Sequence, residues 1–480
     1  MESQTVAVAV AASAFDVAII GGGPGGYVAA IRAAQEGLSV AVIDRGPLGG
    51  TCLNWGCIPT KALHHTAEVW RTVHDAATYG VQVGEATLDF AKAMAHKDEV
   101  VRTLVRGIDG LMQGNKITVL RGTGCLLTVA PPHRVAVNDI DGGTREITAT
   151  NVIIATGSVP SMIPIPGLDL PGVVTSDGIL SLTTQPKRLA VIGGGIIGME
   201  FATIFAALGT TVSVVERLPN ILTGVEPEMI RRALPMYRKM GLAITVDASV
   251  EEVTWGDDDD LAVHYRTADG AQSFEADAVL VAVGRVPYTE GAWAADVPLE
   301  KDRRAVKVDA GLRTNLPGVY AIGDVALMPQ LAHTASMQGE IVVENITGHD
   351  AQYDASVVPN CVFTLPEIAG VGLTEEQARE RFGDAVRTSI FPFAAIGRAQ
   401  ILGETAGVVK LVCGAGEKLL GAHIIGPRAS DLIAELALGL QLGATAADIA
   451  RTIHAHPTLP EAIHEAALGI VHGRPVHALR

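Results

Sequence analysis

Cysteine is scarce in this chain: five residues in 480, too few and too scattered for the disulfide framework of a secreted protein. Cys125, Cys361 and Cys413 stand alone, so no second cluster completes a zinc site, and no metal is expected. Positive charge is also short. Lys and Arg number 36 against 52 Asp and Glu, a formal charge of −16 that repels phosphate backbones and argues against nucleic acid as a partner. Long apolar runs are missing as well: the longest uncharged stretch, Ile147 to Leu168, is broken by Pro160, Pro164 and Pro166, so no membrane span is expected. The apolar stretch Ser3 to Phe15 has no Lys or Arg before Arg32, and it reads as a short leader into a first strand. These absences favour a cytoplasmic protein acting on a small or locally guided partner.

What is present is apolar and glycine-rich. Hydrophobic residues make up 48% of the chain, charged residues 18%, and Gly occupies 53 positions, which suits an α/β protein with many tight strand-to-helix turns. The length exceeds one compact core, so two to four domains are expected.

A strand–turn–helix–strand unit occurs twice. In the first, Phe15 to Ile20 reads as a strand, Gly21 to Gly26 as a turn, Tyr27 to Gln35 as a helix and Ser39 to Asp44 as a strand. The second has Arg188 to Ile192, Gly193 to Gly198, Met199 to Leu208 and Thr211 to Glu216 in the same roles. Both turns fit Gly-X-Gly-X-X-Gly. Gly21, Gly23 and Gly26 are followed by Asp44, and Gly193, Gly195 and Gly198 by Glu216 at the same offset. Glycines let the backbone approach a pyrophosphate at a helix N-terminus, and the carboxylate accepts hydrogen bonds from a ribose. Two nucleotides are implied. Glu216 favours NAD over NADP, because it would repel a 2′-phosphate, although the adjacent Arg217 offers a guanidinium that could admit one.

Four further strands are read from the pattern. Asn151 to Gly157 ends in Ala155-Thr156-Gly157 and leads into a proline-rich crossing, and Ala278 to Gly284, followed by Arg285, closes the second unit. Towards the C-terminus, Val408 to Val412 and Leu419 to Ile425 read as antiparallel strands and Asp431 to Leu442 as an amphipathic helix, a separate α+β segment.

Two cysteines five positions apart, Cys52 and Cys57, follow the first glycine turn by only some thirty residues. In a regular helix such positions lie about 8 Å apart on diverging faces, beyond the usual disulfide span. A bond between them needs a distorted helical turn, for which Gly56 and Pro59 are suited, and a strained disulfide is readily reduced. Near the C-terminus, His454-Ala-His456-Pro-Thr-Leu-Pro-Glu461 has two readings. One is an acid/base imidazole oriented by Glu461; the other is a capping box with Thr458 at the N-cap, Pro460 in the first turn and Glu461 at the third helical position.

Together the cysteine motif, the two dinucleotide units, Gly318-Val-Tyr-Ala-Ile-Gly-Asp324 and His456-Pro-Thr resemble the pyridine nucleotide-disulfide oxidoreductases from about residue 14 to the end. Cys361 to Glu367, Gly403 to Lys410 and Gly421 to Pro427 resemble that family's C-terminal domain. The resemblance implies an α/β fold with two Rossmann-like dinucleotide-binding domains, for FAD and NAD, plus a C-terminal α+β dimerisation domain. The expected divisions are 1–157 for FAD and the redox-active disulfide, 158–285 for NAD, 286–354 for a central domain completing the FAD site, and 355–480 for the interface.

The resemblance also implies roles. Cys52 exchanges with substrate and Cys57 lies against the flavin; Gly21 to Gly26 and Asp44 hold the adenosine end of FAD, and Asp324 its ribityl chain. Lys61 is the flavin-side lysine, paired with Glu200. The cofactor-binding set further takes in Thr51, Ala155, Thr156, Gly157, Gly284, Arg285, Gly323, Ala332 and His333, besides the glycines and Glu216 of the second turn. His456 is the base, reaching the site from the partner subunit of a homodimer, with Glu461 orienting it, and His454 is set aside. Pro460 departs from the family, where a small hydroxyl residue is common, and Trp55 stands between the cysteines.

The implied activity is oxidation of dihydrolipoamide, carried on a lipoyl-bearing acyltransferase or carrier protein of a 2-oxoacid dehydrogenase or glycine cleavage complex, with reduction of NAD. A glutathione-type reductase, a mercuric reductase and a non-catalytic flavin-stabilised component are the alternatives. The first usually reads NADPH with arginines where Glu216 stands. The second carries a C-terminal redox pair that Pro475 to Arg480 lacks.

Overall fold

The computed structural model describes residues 13–256, 260–326 and 329–477. Most of the expected leader Ser3 to Phe15 lies outside these residues, and so do the last three positions of the chain. The chain divides into two compact units, one of Met1–Pro59, Lys97–Pro160 and Arg285–Tyr353, the other of Thr60–His96, Ser161–Gly284 and Asp354–Arg480.

The first unit is built on a mixed sheet. Ser13–Ile20 lies between Val40–Asp44 and Thr144–Ile154, parallel to both, with Val17 beside Val40 and Ile20 beside Ile154. Thr118–Leu126 and Val319–Ala321 extend this parallel layer at its two edges. His133–Asp139 joins Thr118–Leu126 to Thr144–Ile154 by antiparallel pairing, so two strands of the layer continue into a meander. Val17, Ala18, Ile19, Val42, Val152, Ile153 and Ile154 are fully buried, as expected of strands covered on both faces. The helix Pro24–Gln35 starts three residues before the predicted Tyr27, because Pro24 at the first helical position has the φ that a helix needs.

The second unit contains a five-stranded parallel sheet in the order Ala243–Thr245, Thr211–Val215, Arg188–Ile192, Ala278–Val281, Val173–Thr175. Its helix Ile196–Ala207 is apolar nearly all round and buries Phe201 and Phe205. Each such ring stabilises the unit by about 1.5–3 kcal/mol relative to exposure. An antiparallel sheet of Ser249–Trp255, Leu261–Thr267 and Gly270–Ala276 follows. The C-terminal part is a five-stranded antiparallel sheet, in the order Asn360–Val362, Glu367–Gly372, Leu419–Gly426, Val408–Cys413, Arg387–Pro392. The helices Ala429–Gln441, Ala446–Arg451 and Glu461–Val471 accompany it and share its buried core. Among the described residues no helix is long and apolar enough to cross a membrane.

Candidate active site

Both glycine turns are built the same way. Gly21 N–H donates to Ile43 O, and Gly22 N–H donates to Asp44 Oδ2 at 2.6 Å, while Gly46 N–H takes the other oxygen at 2.7 Å. A Cβ on Gly26 would collide with Gly21 O, so only glycine lets the helix start this close to the strand end. In the second unit Gly194 N–H donates to Glu216 Oε2 at 2.6 Å, Leu218 N–H to Oε1 at 2.7 Å, and a Cβ on Gly198 would collide with Gly193 O. The helices begin at the N-caps Gly23 and Gly195 without a side-chain cap, which leaves their first N–H groups open to an anion. Each carboxylate is fixed by two backbone donors and keeps lone pairs for a ribose. Arg217 is exposed.

The cysteines flank a helix break. Gly50–Trp55 forms one short helix and Cys57–Asp75 a second, with Gly56 between them at φ −140° and ψ −113°. A Cβ on Gly56 would lie 2.8 Å from Thr51 O. The predicted distortion is therefore located at Gly56, and Pro59 sits in the first turn of the second helix, where proline is tolerated. Asn54 Nδ2 donates to Leu48 O and Gly50 O, pinning the first helix. Cys52 is half-buried and packs with the core around Leu48 and Leu53, whereas Cys57 is exposed. Burial pushes the Tyr27 phenol up, and the nearby Cys52 acts in the same direction.

A residue missed in the sequence joins several that were not. Ser158 Oγ donates to Asp324 Oδ2 at 2.6 Å and accepts from Arg285 Nε at 2.8 Å. Arg285 Nη2 also donates to Ser158 O at 2.7 Å and reaches Thr51 Oγ1 at 3.4 Å. Thr51, Ser158, Arg285 and Asp324 thus form one hydrogen-bonded run. Ala155 N–H donates to Ile20 O, Thr156 Oγ1 donates to Tyr288 O at 2.5 Å, and Gly157 and Gly284 take positive φ. The only local signal for Ser158 was its place directly after Ala155-Thr-Gly157.

Ala332 and His333 open the helix Ala332–Ile346. Further along it, Gln338 Oε1 accepts the Gly323 N–H at 2.7 Å, while Gln338 Nε2 and Thr334 Oγ1 are buried without a hydrogen-bond partner. A buried donor and hydroxyl without partners cost free energy unless a polar group meets them. The unmet pair therefore fits a cofactor held between this helix, Gly323–Asp324 and the first glycine turn.

In the second unit Lys61 Nζ donates to Glu200 Oε2 at 2.8 Å and stands 4.5 Å over the Phe363 ring. Glu200 is 5% exposed, and its other oxygen accepts the Phe363 N–H at 2.9 Å. The expected lysine–glutamate pair is present, and Phe363 is the contact that sequence reasoning did not supply.

At the C-terminus Glu461 bonds two groups. Its Oε1 takes His456 Nδ1 at 2.8 Å and its Oε2 accepts the Thr458 N–H at 2.7 Å. Of the capping-box reading only the Glu461-to-Thr458 N–H half is present: the helix begins at Glu461 with Pro460 at the N-cap, and Thr458 Oγ1 donates to Ala455 O instead of capping. Burial acts to raise the Glu461 carboxyl, but His456 and the Thr458 N–H outweigh it and hold the group below its ordinary value. With Nδ1–H directed at a carboxylate, Nε2 of the 77% exposed His456 side chain carries the ring's open lone pair. Among the described residues no group of three or more His, Cys, Asp or Glu could hold a metal ion.

Residues 15–339 match the family model for pyridine nucleotide-disulphide oxidoreductase, and residues 358–467 match the dimerisation domain of that family. The chain is 42% identical over 468 residues to the mitochondrial dihydrolipoyl dehydrogenase of Pisum sativum, covering 96% of this chain and 92% of that one. It is 41% identical to the dihydrolipoyl dehydrogenase of Chlamydia trachomatis, covering 97% and 98% of the two chains. Among solved structures, LpdA from Mycobacterium tuberculosis superposes with a TM-score of 0.88 at 28% identity, over 95% of this chain and 99% of that one.

Proposed function

The chain belongs to the pyridine nucleotide-disulphide oxidoreductase family, and we propose that within it the protein acts as a dihydrolipoamide dehydrogenase. Its cofactors are FAD and NAD. The observation that carries the reading is the placement of Cys52 and Cys57 on either side of the break at Gly56, beside a dinucleotide turn.

His456 Nε2 takes a proton from one thiol of dihydrolipoamide, with Nδ1–H held by Glu461 so that the imidazolium that forms is paired. The thiolate attacks Cys52 Sγ; the Cys52–Cys57 bond breaks and Cys57 leaves as a thiolate. The second substrate thiol then attacks the substrate sulfur of the mixed disulfide, its proton passing to the departing Cys52 sulfur; this closes lipoamide and leaves the cysteine pair reduced by two electrons. FAD supplies a two-electron carrier between the dithiol and NAD, which accepts hydride. Lys61, paired with Glu200, supplies the positive charge on the flavin side, and Thr51, Arg285, Ser158 and Asp324 form the polar wall that orients it. Gly21 to Gly26 with Asp44 and Gly193 to Gly198 with Glu216 hold FAD and NAD respectively.

The reading includes the four-part division at residues 157, 285 and 354. It also takes the protein as a homodimer in which His456 serves the neighbour's cysteines, supported by the match to the family's dimerisation domain. The physiological dithiol is then one presented on a lipoyl-bearing acyltransferase or carrier protein, in the cytoplasm. Steady-state assays of the purified protein test this with dihydrolipoamide and glutathione disulfide against NAD(H) and NADP(H). Turnover of dihydrolipoamide with NAD is expected; NADPH-driven glutathione reduction would contradict the reading.

A further inference from the structure

The segment that carries His456 holds a second histidine with a carboxylate of its own. His454 Nδ1 lies 3.0 Å from Thr452 O, and its Nε2 lies 2.8 Å from Glu435 Oε1. A backbone carbonyl only accepts, so Nδ1 carries a hydrogen; an ionised carboxylate also only accepts, so Nε2 carries one too. A ring with both nitrogens facing acceptors is an imidazolium. Its side chain is 7% exposed, so the charge is largely withdrawn from water.

Those groups come from three elements. Glu435 belongs to the helix Ala429–Gln441, Thr452 precedes the histidine in its own segment, and the His464 ring, on the helix Glu461–Val471, packs at 5.3 Å. The second charged neighbour is Glu461, at the start of that same helix. The Glu435 bond is the largest cause holding His454 above its ordinary value, with Glu461 adding to it, and His454 in turn helps to hold Glu461 low.

We propose that His454 is a positioning residue for the thiol-oxidising reaction: with Glu435 it anchors the segment bearing His456 to the neighbouring helix and places a fixed positive charge beside the His456–Glu461 pair. The inference rests on His456 being the base. A cation there opposes protonation of His456 and favours the ionised Glu461 that receives Nδ1–H. It therefore keeps Glu461 ionised and the base oriented with its Nδ1–H on that carboxylate.

The test compares wild type with His454→Gln and Glu435→Gln. The pH profile of dihydrolipoamide turnover is recorded beside NADH oxidation by an artificial one-electron acceptor, which needs no imidazole and reports an intact flavoprotein. In His454→Gln the turnover is expected to fall about tenfold at neutral pH, and its acid limb to move up by about half a pH unit or more, because the opposing cation is gone. Glu435→Gln keeps a polar partner, loosens the proton on His454 and should move the limb the same way by less. The artificial-acceptor rate should stay near wild type. Superimposable profiles with turnover within about twofold would overturn the proposal.

If wild type does not oxidise dihydrolipoamide, the functional reading fails instead. The His456 ring titration followed by NMR then still decides this inference. An upward shift in His454→Gln supports it, and an unchanged titration overturns it. Should His454→Gln misfold, Glu435→Gln gives the same two readouts.

Discussion

Lys61 Nζ donates to Glu200 Oε2 at 2.8 Å, joining residues that are 139 positions apart in the chain. Glu200 is fixed from its other oxygen by the Phe363 N–H, so the lysine's position is set by a buried carboxylate that cannot turn away. In the proposed site the carboxylate offsets part of the charge that Lys61 directs at the flavin. Glu200→Gln keeps a hydrogen-bonding shape and removes the negative charge, which favours the reduced, more anionic flavin. Potentiometric titration should show the two-electron flavin potential rising by about 30 mV, a tenfold change in equilibrium constant. An unchanged or lower potential would contradict the assignment of Lys61.

Stability should depend on pH through a cluster in the second unit. Lys410 Nζ lies 2.7 Å from both Glu226 Oε1 and Glu375 Oε2, with His423 Nε2 4.0 Å from Glu226 Oε2. Burial acts to raise Glu226, but Lys410, the Glu375 N–H and His423 outweigh it; Glu375 is lowered chiefly by Lys410. Burial holds His423 below its ordinary 6.5. All three groups bind protons more weakly folded than unfolded. Their contribution is complete above 6.5 and is lost as pH falls, first through His423 and then, below the ordinary 4.5, through the carboxylates. Denaturant midpoints should fall across that range. At pH 7.5, Lys410→Met strands the buried Glu226 and leaves the partly exposed Glu375 without its lysine; it should cost about 3–5 kcal/mol, and adding Glu226→Gln should recover part of it. A flat pH dependence or a neutral Lys410→Met would contradict this account.

The second glycine turn makes a separate prediction. Glu216 is the acid that two backbone N–H groups aim at the turn, so Glu216→Ala removes both a ribose acceptor and a brace for the loop. NAD should bind about tenfold more weakly, and the preference for NAD over NADP should narrow, as measured by KM for each cofactor. Wild type using both equally would give Arg217 the deciding role.

The parts of this protein that sequence pattern made legible are those that depend on neighbours along the chain. Both glycine turns, the acids that follow them and the strands before them were visible because Gly26 and Gly198 close against Gly21 O and Gly193 O of their own turns, and Gly21 and Gly193 take positive φ. The helix break between the cysteines was readable for the same reason: spacing demanded distortion, and Gly56 supplied the residue. Ser158 was not readable, because its partners Arg285 and Asp324 lie 127 and 166 residues away and a serine has no distinctive local pattern. The His456 segment was half legible. Glu461 could serve a capping box or a histidine, and it bonds both groups: one oxygen meets the ring and the other the Thr458 N–H, although the helix starts later than a Thr458 cap requires.

The central claim is that electrons pass from a dithiol through Cys52 and Cys57 to the flavin, and anaerobic flavin spectroscopy of Cys57→Ser tests it most directly. The variant is expected to keep FAD and to be bleached by NADH, yet to stay oxidised when dihydrolipoamide is added, with steady-state lipoamide turnover close to zero. Rapid bleaching by dihydrolipoamide, or substantial turnover, would show that the flavin is reached by a route that does not need the cysteine pair.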